Sequence, residues 1–65
     1  MTLFRTNEQI EWYKVNDNYY EGWNKKTEER YYTLIKDQCG LWILRGQGMD
    51  ATNYDENYLM NKIKL

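Results

Sequence analysis

The chain has no proline and no histidine, and Cys39 is its one cysteine. Each shortage closes a route. No disulfide can form within the chain, and a structural zinc site lacks its usual ligands. Without histidine, no side chain ordinarily titrates near neutrality, so general acid–base chemistry would need a strongly perturbed carboxylate. Cys39 sits in an expected exposed turn and would act as a nucleophile only with an activating base or cation nearby, so it reads as a turn residue. The Gly46-Gln47-Gly48 run is too short for a phosphate loop and is not followed by Lys-Ser or Lys-Thr. These shortages point away from an enzyme, and no cofactor or metal is expected. Long apolar runs are missing too. The longest is Leu41 to Leu44, which is too short for a membrane helix or a secretion signal. A single free thiol suits a reducing compartment, so a cytoplasmic location is expected.

What the chain does have is aromatic mass. Three Trp, seven Tyr and one Phe occur in 65 residues. One compact domain over residues 1–65 is expected, and a chain of this size buries only about 60% of its unfolded surface. Stability must then come from dense aromatic packing or from self-association. So small a core cannot hide seven tyrosines, and several must lie at the surface, half-buried on strands or in a binding face.

The net charge is −1, which does not favour a nucleic-acid coat. The charge is uneven. Residues 1–24 sum to −2, residues 25–46 to +2 and the remainder to −1.

The centre of the chain is Glu29 to Gly46, which reads as two strands around the turn formers Asp37 to Gly40. Ile10 to Val15 and Tyr19 to Asn24 read as two further strands, with Gly22 marking a bulge or the close approach of a neighbouring ring. The fold class expected is α+β: a four-stranded antiparallel meander over residues 10–46 with a C-terminal helix. An all-β five-stranded small barrel is the alternative. Thr6 with Gln9 resembles a capping box opening a short helical turn, and Gln47 to Thr52 reads as a loop. Over residues 53–65 a helix capped by Thr52 puts Asp55 and Glu56 at its positive end and Lys62 and Lys64 at its negative end. Its apolar stripe would hold Tyr54, Tyr58 and Leu65, with Leu59 and Ile63 beside it.

Four-residue loops at 25–28 and 37–40 give a register in which Trp23 opposes Arg30, Leu34 opposes Ile43 and Tyr32 opposes Arg45. One face then carries Tyr20, Gly22, Tyr31, Thr33, Ile35, Trp42 and Leu44. The other carries Glu21, Arg30, Lys36 and Arg45 together with Tyr19, Trp23, Tyr32, Leu34, Leu41 and Ile43. A two-residue Asp17-Asn18 turn sets Lys14 opposite Glu21 and turns Tyr13 and Val15 inward, whereas a three-residue loop reverses this.

A merely solvated face would be polar where this second face is apolar. Aromatic anchors within a charged surround suit a partner site, and the binding residues expected are Tyr19, Trp23, Arg30, Tyr32, Leu34, Ile43 and Arg45. Trp23, Tyr31, Tyr32 and Trp42 resemble the pattern of WW domains, three-stranded sheets that bind proline-rich peptides. The resemblance spans about residues 22–43. It departs from that family in having no proline behind the first Trp, no histidine in the central strand and a shorter first loop, so the function is not carried over. The function expected is a small intracellular protein-binding module, an inhibitor or modulator of another protein. The Asn-, Lys-, Tyr- and Ile-rich usage points to an AT-rich genome, and small accessory or anti-defence proteins of bacterial viruses are of this type. The alternatives are nucleotide or single-stranded nucleic-acid binding through stacked aromatics, and a structural homo-oligomer unit. A homodimer is expected, with no membrane partner and no nucleic acid.

Overall fold

The computed structural model describes residues 1–63. Lys64 and Leu65, invoked above for the helix, lie outside the described residues. Six antiparallel strands follow one another across an open sheet in sequence order: β1 (Thr2–Thr6), β2 (Ile10–Asn16), β3 (Tyr19–Asn24), β4 (Arg30–Lys36), β5 (Trp42–Gly46) and β6 (Met49–Asn53). A short helix α1 (Glu56–Asn61) completes the chain. The α+β architecture and the antiparallel meander are as expected. The strand count is six and not four, and the sheet does not close into a barrel.

Local chemistry explains the two additional strands. Gln47 and Gly48 have φ of 49° and 76°, and Gly46 pairs with Met49. Two central residues at positive φ make a two-residue hairpin turn whose twist matches the flanking strands. The glycines that read as a loop are therefore a turn, and Met49–Asn53 runs back along β5. At the other end, Asn7 N–H donates to Ile10 O at 2.8 Å, closing a turn that leads β1 into β2. The capping-box reading of Thr6 and Gln9 fails because Thr6 is already paired with Glu11.

Every hairpin from β2 to β5 differs from its expected register by one residue. Asp17-Asn18 forms the turn, with Asn16 opposite Tyr19, but a bulge at Val15 then sets Tyr13 against Glu21 and Lys14 against Tyr20. Neither turn residue has positive φ, so the bulge supplies the added strand twist. Trp23 opposes Arg30 as expected, but a bulge at Tyr31 follows, so Gly22 faces Tyr32 and Tyr20 faces Leu34. The next connection is one residue longer than expected and opens from Lys36 opposite Trp42. Asp37 Oδ1 organises it by accepting from Cys39 N and Leu41 N.

Side chains alternate between faces with period two, so each one-residue shift inverts everything beyond it. Tyr13 and Val15 turn outward while Ile10 and Trp12 turn inward. Strand β4 is inverted, which puts Tyr32 and Leu34 in the core and leaves Thr33 and Ile35 outside. The two shifts flanking β4 cancel at β5, and Trp42 and Leu44 face inward as expected. The resulting hydrophobic core is Ile10, Trp12, Tyr20, Tyr32, Leu34, Trp42, Leu44, Leu59, Met60 and Ile63. Under the expected register Thr33 would have been buried while Tyr32 and Leu34 stayed wet. Burying a Leu or an aromatic is worth about 1.5–3 kcal/mol each, more than enough to favour the bulges.

Aromatic rings tile the inner face. Tyr20 meets Phe4 and Trp42 edge-on at centroid distances of 4.9 and 5.2 Å, and Trp12 lies 6.1 Å from Tyr32. The WW-like quartet is thus divided, with Tyr32 and Trp42 buried in the core and Trp23 on the outer face.

Six helical residues cannot stand alone, and α1 is held by what surrounds it. Asp55, not Thr52, is the N-cap, and its carboxylate accepts from Asn57 N. Arg5 reaches from β1 to Asn57 Oδ1 and Asn61 Oδ1 at 3.3 and 2.8 Å. Asn7 Nδ2 donates to Met60 O at 2.8 Å, a second bond to a carbonyl that also accepts from Ile63 N. The helix follows β6 and is tied back to β1, so the sheet must coil enough to bring its two edges under one short element. It covers the inner face as expected, through Leu59 and Met60 with Ile63 just beyond the helix, but Tyr54 and Tyr58, expected on its apolar stripe, remain 71% and 50% exposed.

Candidate interaction face

Among the described residues, none forms a second layer on the side of the sheet away from α1. Its register forms three rows. Leu3, Tyr13, Glu21, Thr33, Arg45 and Asp50 follow one another across all six strands. Tyr19, Ile35, Ile43 and Thr52 form a second row, and Glu11, Trp23 and Arg30 a third. Leu3 is 50% exposed and Ile35 46%.

The centre of this face is built around one carboxylate. Tyr19 Oη donates to Glu21 Oε2 at 2.8 Å, Trp23 Nε1 donates to Glu21 Oε1 at 3.2 Å, and Arg30 Nη1 donates to Oε2 at 3.1 Å. Residues 19, 21 and 23 lie on one face of one strand because they are two apart, and Arg30 arrives from β4 opposite Trp23. The Glu21 side chain is only 12% exposed, against 52% for Arg30. Desolvation alone would push the Glu21 carboxyl up, but the hydrogen bonds from Tyr19, Trp23 and Arg30 and the Arg30 charge together hold it below the usual carboxylate range. Burial and the bond to Glu21 push the Tyr19 phenol up. Mechanically, Glu21 holds two aromatic side chains in single orientations on an uncovered face.

The neighbours are looser. Tyr13 Oη donates to Glu11 Oε1 at 3.4 Å. Arg45 lies 3.8 Å from Asp50, with both side chains more than two-thirds exposed, and a pair this open contributes little. Lys14, expected opposite Glu21, instead pairs with Asp17 at 3.0 Å.

Of the expected binding residues, Tyr19, Trp23, Arg30, Ile43 and Arg45 lie together on this face. Tyr32 and Leu34 do not: they are 5% and 0% exposed, carried inward by the Tyr31 bulge. Lys36 also leaves the face, since its Nζ sits 5.5 Å from the Trp42 ring centroid. Leu3 and Ile35 join the face unforeseen, and Tyr13 joins it as the longer-loop alternative expected, although a bulge and not a longer loop puts it there. The alternation of Trp12 with Tyr13 carried that information, but the face each occupies depends on the Val15 bulge. Cys39 lies exposed in the β4–β5 turn, and among the described residues no helix is long and apolar enough to cross a membrane. No protein-family model, no curated protein and no solved structure matches this chain, so the reading of the face rests on its own geometry.

Proposed function

We propose that this chain is a small protein-binding module that acts by occupying a surface of another protein, as an inhibitor or modulator does. The contact set is Tyr19, Trp23, Arg30, Ile43 and Arg45, extended by Leu3, Tyr13 and Ile35. The observation that carries this reading is the Glu21 cluster. Tyr19 and Trp23 are hydrogen-bonded into fixed orientations on a sheet face with no covering layer. Rigid aromatic anchors lose little entropy on binding, and an Arg at their margin completes the composition of an interface hot spot. The compact accessory proteins of bacterial viruses that block host machinery are the type of protein this reading suits.

The test is a matched pair of variants. Trp23→Ala removes an anchor from the uncovered face, while Tyr32→Phe changes a buried ring by one hydroxyl. Capture of a partner from host lysate, followed by mass spectrometry, should be lost with Trp23→Ala and kept with Tyr32→Phe, both retaining native circular dichroism. Unchanged capture by a folded Trp23→Ala variant would overturn the reading.

A further inference from the structure

Where β2 begins and β3 ends, at the margin of the outer face, lies a cleft of about 360 Å³ lined by Glu11, Tyr13, Trp23, Asn24, Lys25 and Glu28. That size falls within the range of small ligand clefts. We propose that it receives a cationic side chain, a guanidinium or an ammonium, presented by the polypeptide that docks on the outer face. The proposal rests on the reading of that face above and specifies what the partner must bring to it.

Three independent features select this ligand. The first is charge. Glu11 and Glu28 face the cleft against the single ammonium of Lys25, and among the described residues neither carboxylate forms an ion pair. A neutral or anionic occupant would desolvate both carboxylates without compensating them. A cation answers them, and the overall charge of −1 does not oppose its approach.

The second is the aromatic wall. Trp23 gives its indole N–H to the Glu21 carboxylate, which pushes electron density into the ring. The same indole lines the cleft, and a Trp face within about 6 Å is the best aromatic seat for a cation. Tyr13 adds a second ring and ties its hydroxyl to Glu11.

The third is Asn24, 7% exposed and the one buried polar residue among those described. Its Oδ1 accepts from Lys26 N and Thr27 N at 2.9 and 3.0 Å, shaping the β3–β4 loop. Among the described residues its Nδ2 donates to nothing. The Trp12 indole N–H is the one sealed side-chain donor without a partner among the described residues, so the Asn24 Nδ2 keeps contact with solvent at the cleft and can exchange that water for an acceptor. A peptide supplies both halves: a Lys or Arg side chain for the carboxylates and rings, and a main-chain carbonyl for Asn24.

The experiment is an NMR titration of the isotopically labelled whole chain. The probes are acetyl-Gly-Arg-Gly-amide and the same peptide with citrulline, which keeps the shape and loses the charge. The Arg peptide should shift the Trp23 indole and Asn24 side-chain amide resonances with millimolar affinity. The citrulline peptide should bind about tenfold more weakly or worse. The double variant Glu11→Gln/Glu28→Gln should weaken the Arg peptide by a similar factor, and Lys25→Glu should tighten it several-fold. Equal binding of the two peptides, shifts confined to other residues, or weakened binding to Lys25→Glu would overturn the proposal. Partner capture separates the two readings. If Trp23→Ala loses the partner while Glu11→Gln/Glu28→Gln keeps it, the face stands and the cleft proposal falls.

Discussion

Replacing Gly22 with alanine probes the packing that makes the two faces. A Cβ built at Gly22 would lie 2.9, 3.0 and 3.1 Å from three atoms of the Trp12 six-membered ring. Trp12 is fully buried and packed beside Tyr32, so the ring is not a loose end that can swing aside. The backbone at Gly22 does not require positive φ, so alanine gains about 0.4–1 kcal/mol by restricting the unfolded chain. Against that stands overpacking of a filled core, about 1–3 kcal/mol. Overpacking wins, and Gly22→Ala should destabilise by about 1–2 kcal/mol, which lowers the melting temperature by roughly 5–15 °C for a domain of this size. Trp12→Phe withdraws the crowded ring atoms and also removes an indole N–H that has no hydrogen-bond partner among the described residues. In the double variant alanine should then cost little, giving a coupling of about 1 kcal/mol or more by thermal and urea unfolding. A Gly22→Ala variant that melts at or above the wild type would refute the reasoning. So would a cycle additive to within about 0.5 kcal/mol.

Other expectations follow from single features. The folded-state carboxyl of Glu21 is held below its ordinary value near 4.3. Its contribution to stability is therefore present above that value and lost as pH falls through the depressed folded value. The melting-temperature gap between wild type and Glu21→Gln should shrink on acidification from pH 7 to about pH 3, and a constant gap would show that the carboxylate is not the source. Gln47 sits at φ 49° in a two-residue turn where asparagine is favoured, so Gln47→Asn should stabilise by about 0.5–1 kcal/mol; a lower urea midpoint would contradict the turn assignment. The uncovered face also suits a second copy. A plate 34 × 24 Å across offers on the order of 800 Å² per copy, the scale of a standard interface. A symmetric dimer at micromolar concentration is expected, and Ile43→Lys should yield monomer in sedimentation. A melting temperature independent of dilution would sink that expectation.

The amino-acid sequence alone determined the meander, its central turns and the burden of aromatics. Asp17-Asn18, the Lys25 to Glu28 loop and Asp37 to Gly40 announce turns by local chemistry that acts within a few residues. The same is true of Gly22, whose missing side chain marks where the Trp12 ring lies. The carboxylate, the Trp and the Tyr at the centre of the outer face were legible together because 19, 21 and 23 share a face in any extended strand, whatever its neighbours do.

Only the tertiary structure decided which way the other strands face. The bulges at Val15 and Tyr31 each insert one residue, and one residue inverts a strand. The Val15 bulge has no local signal, whereas the Tyr31 bulge lies opposite Gly22 and Trp23, where the glycine hints at one. They form because together they bury Trp12, Tyr32 and Leu34 and release Thr33, a gain summed over strands distant in sequence. The helix shows the same division. Its acidic start at Asp55 and Glu56 foretold a helix near the end of the chain, although its last turn holds no basic residue. Its buried stripe was set by Arg5 and Asn7, more than fifty residues away, because six residues take their orientation from what they dock against. Strand β6 was concealed for the opposite reason. Met49–Asn53 is too polar to read as a strand, and it becomes one because the turn at Gln47 and Gly48 delivers it to an edge of β5 whose backbone groups need partners.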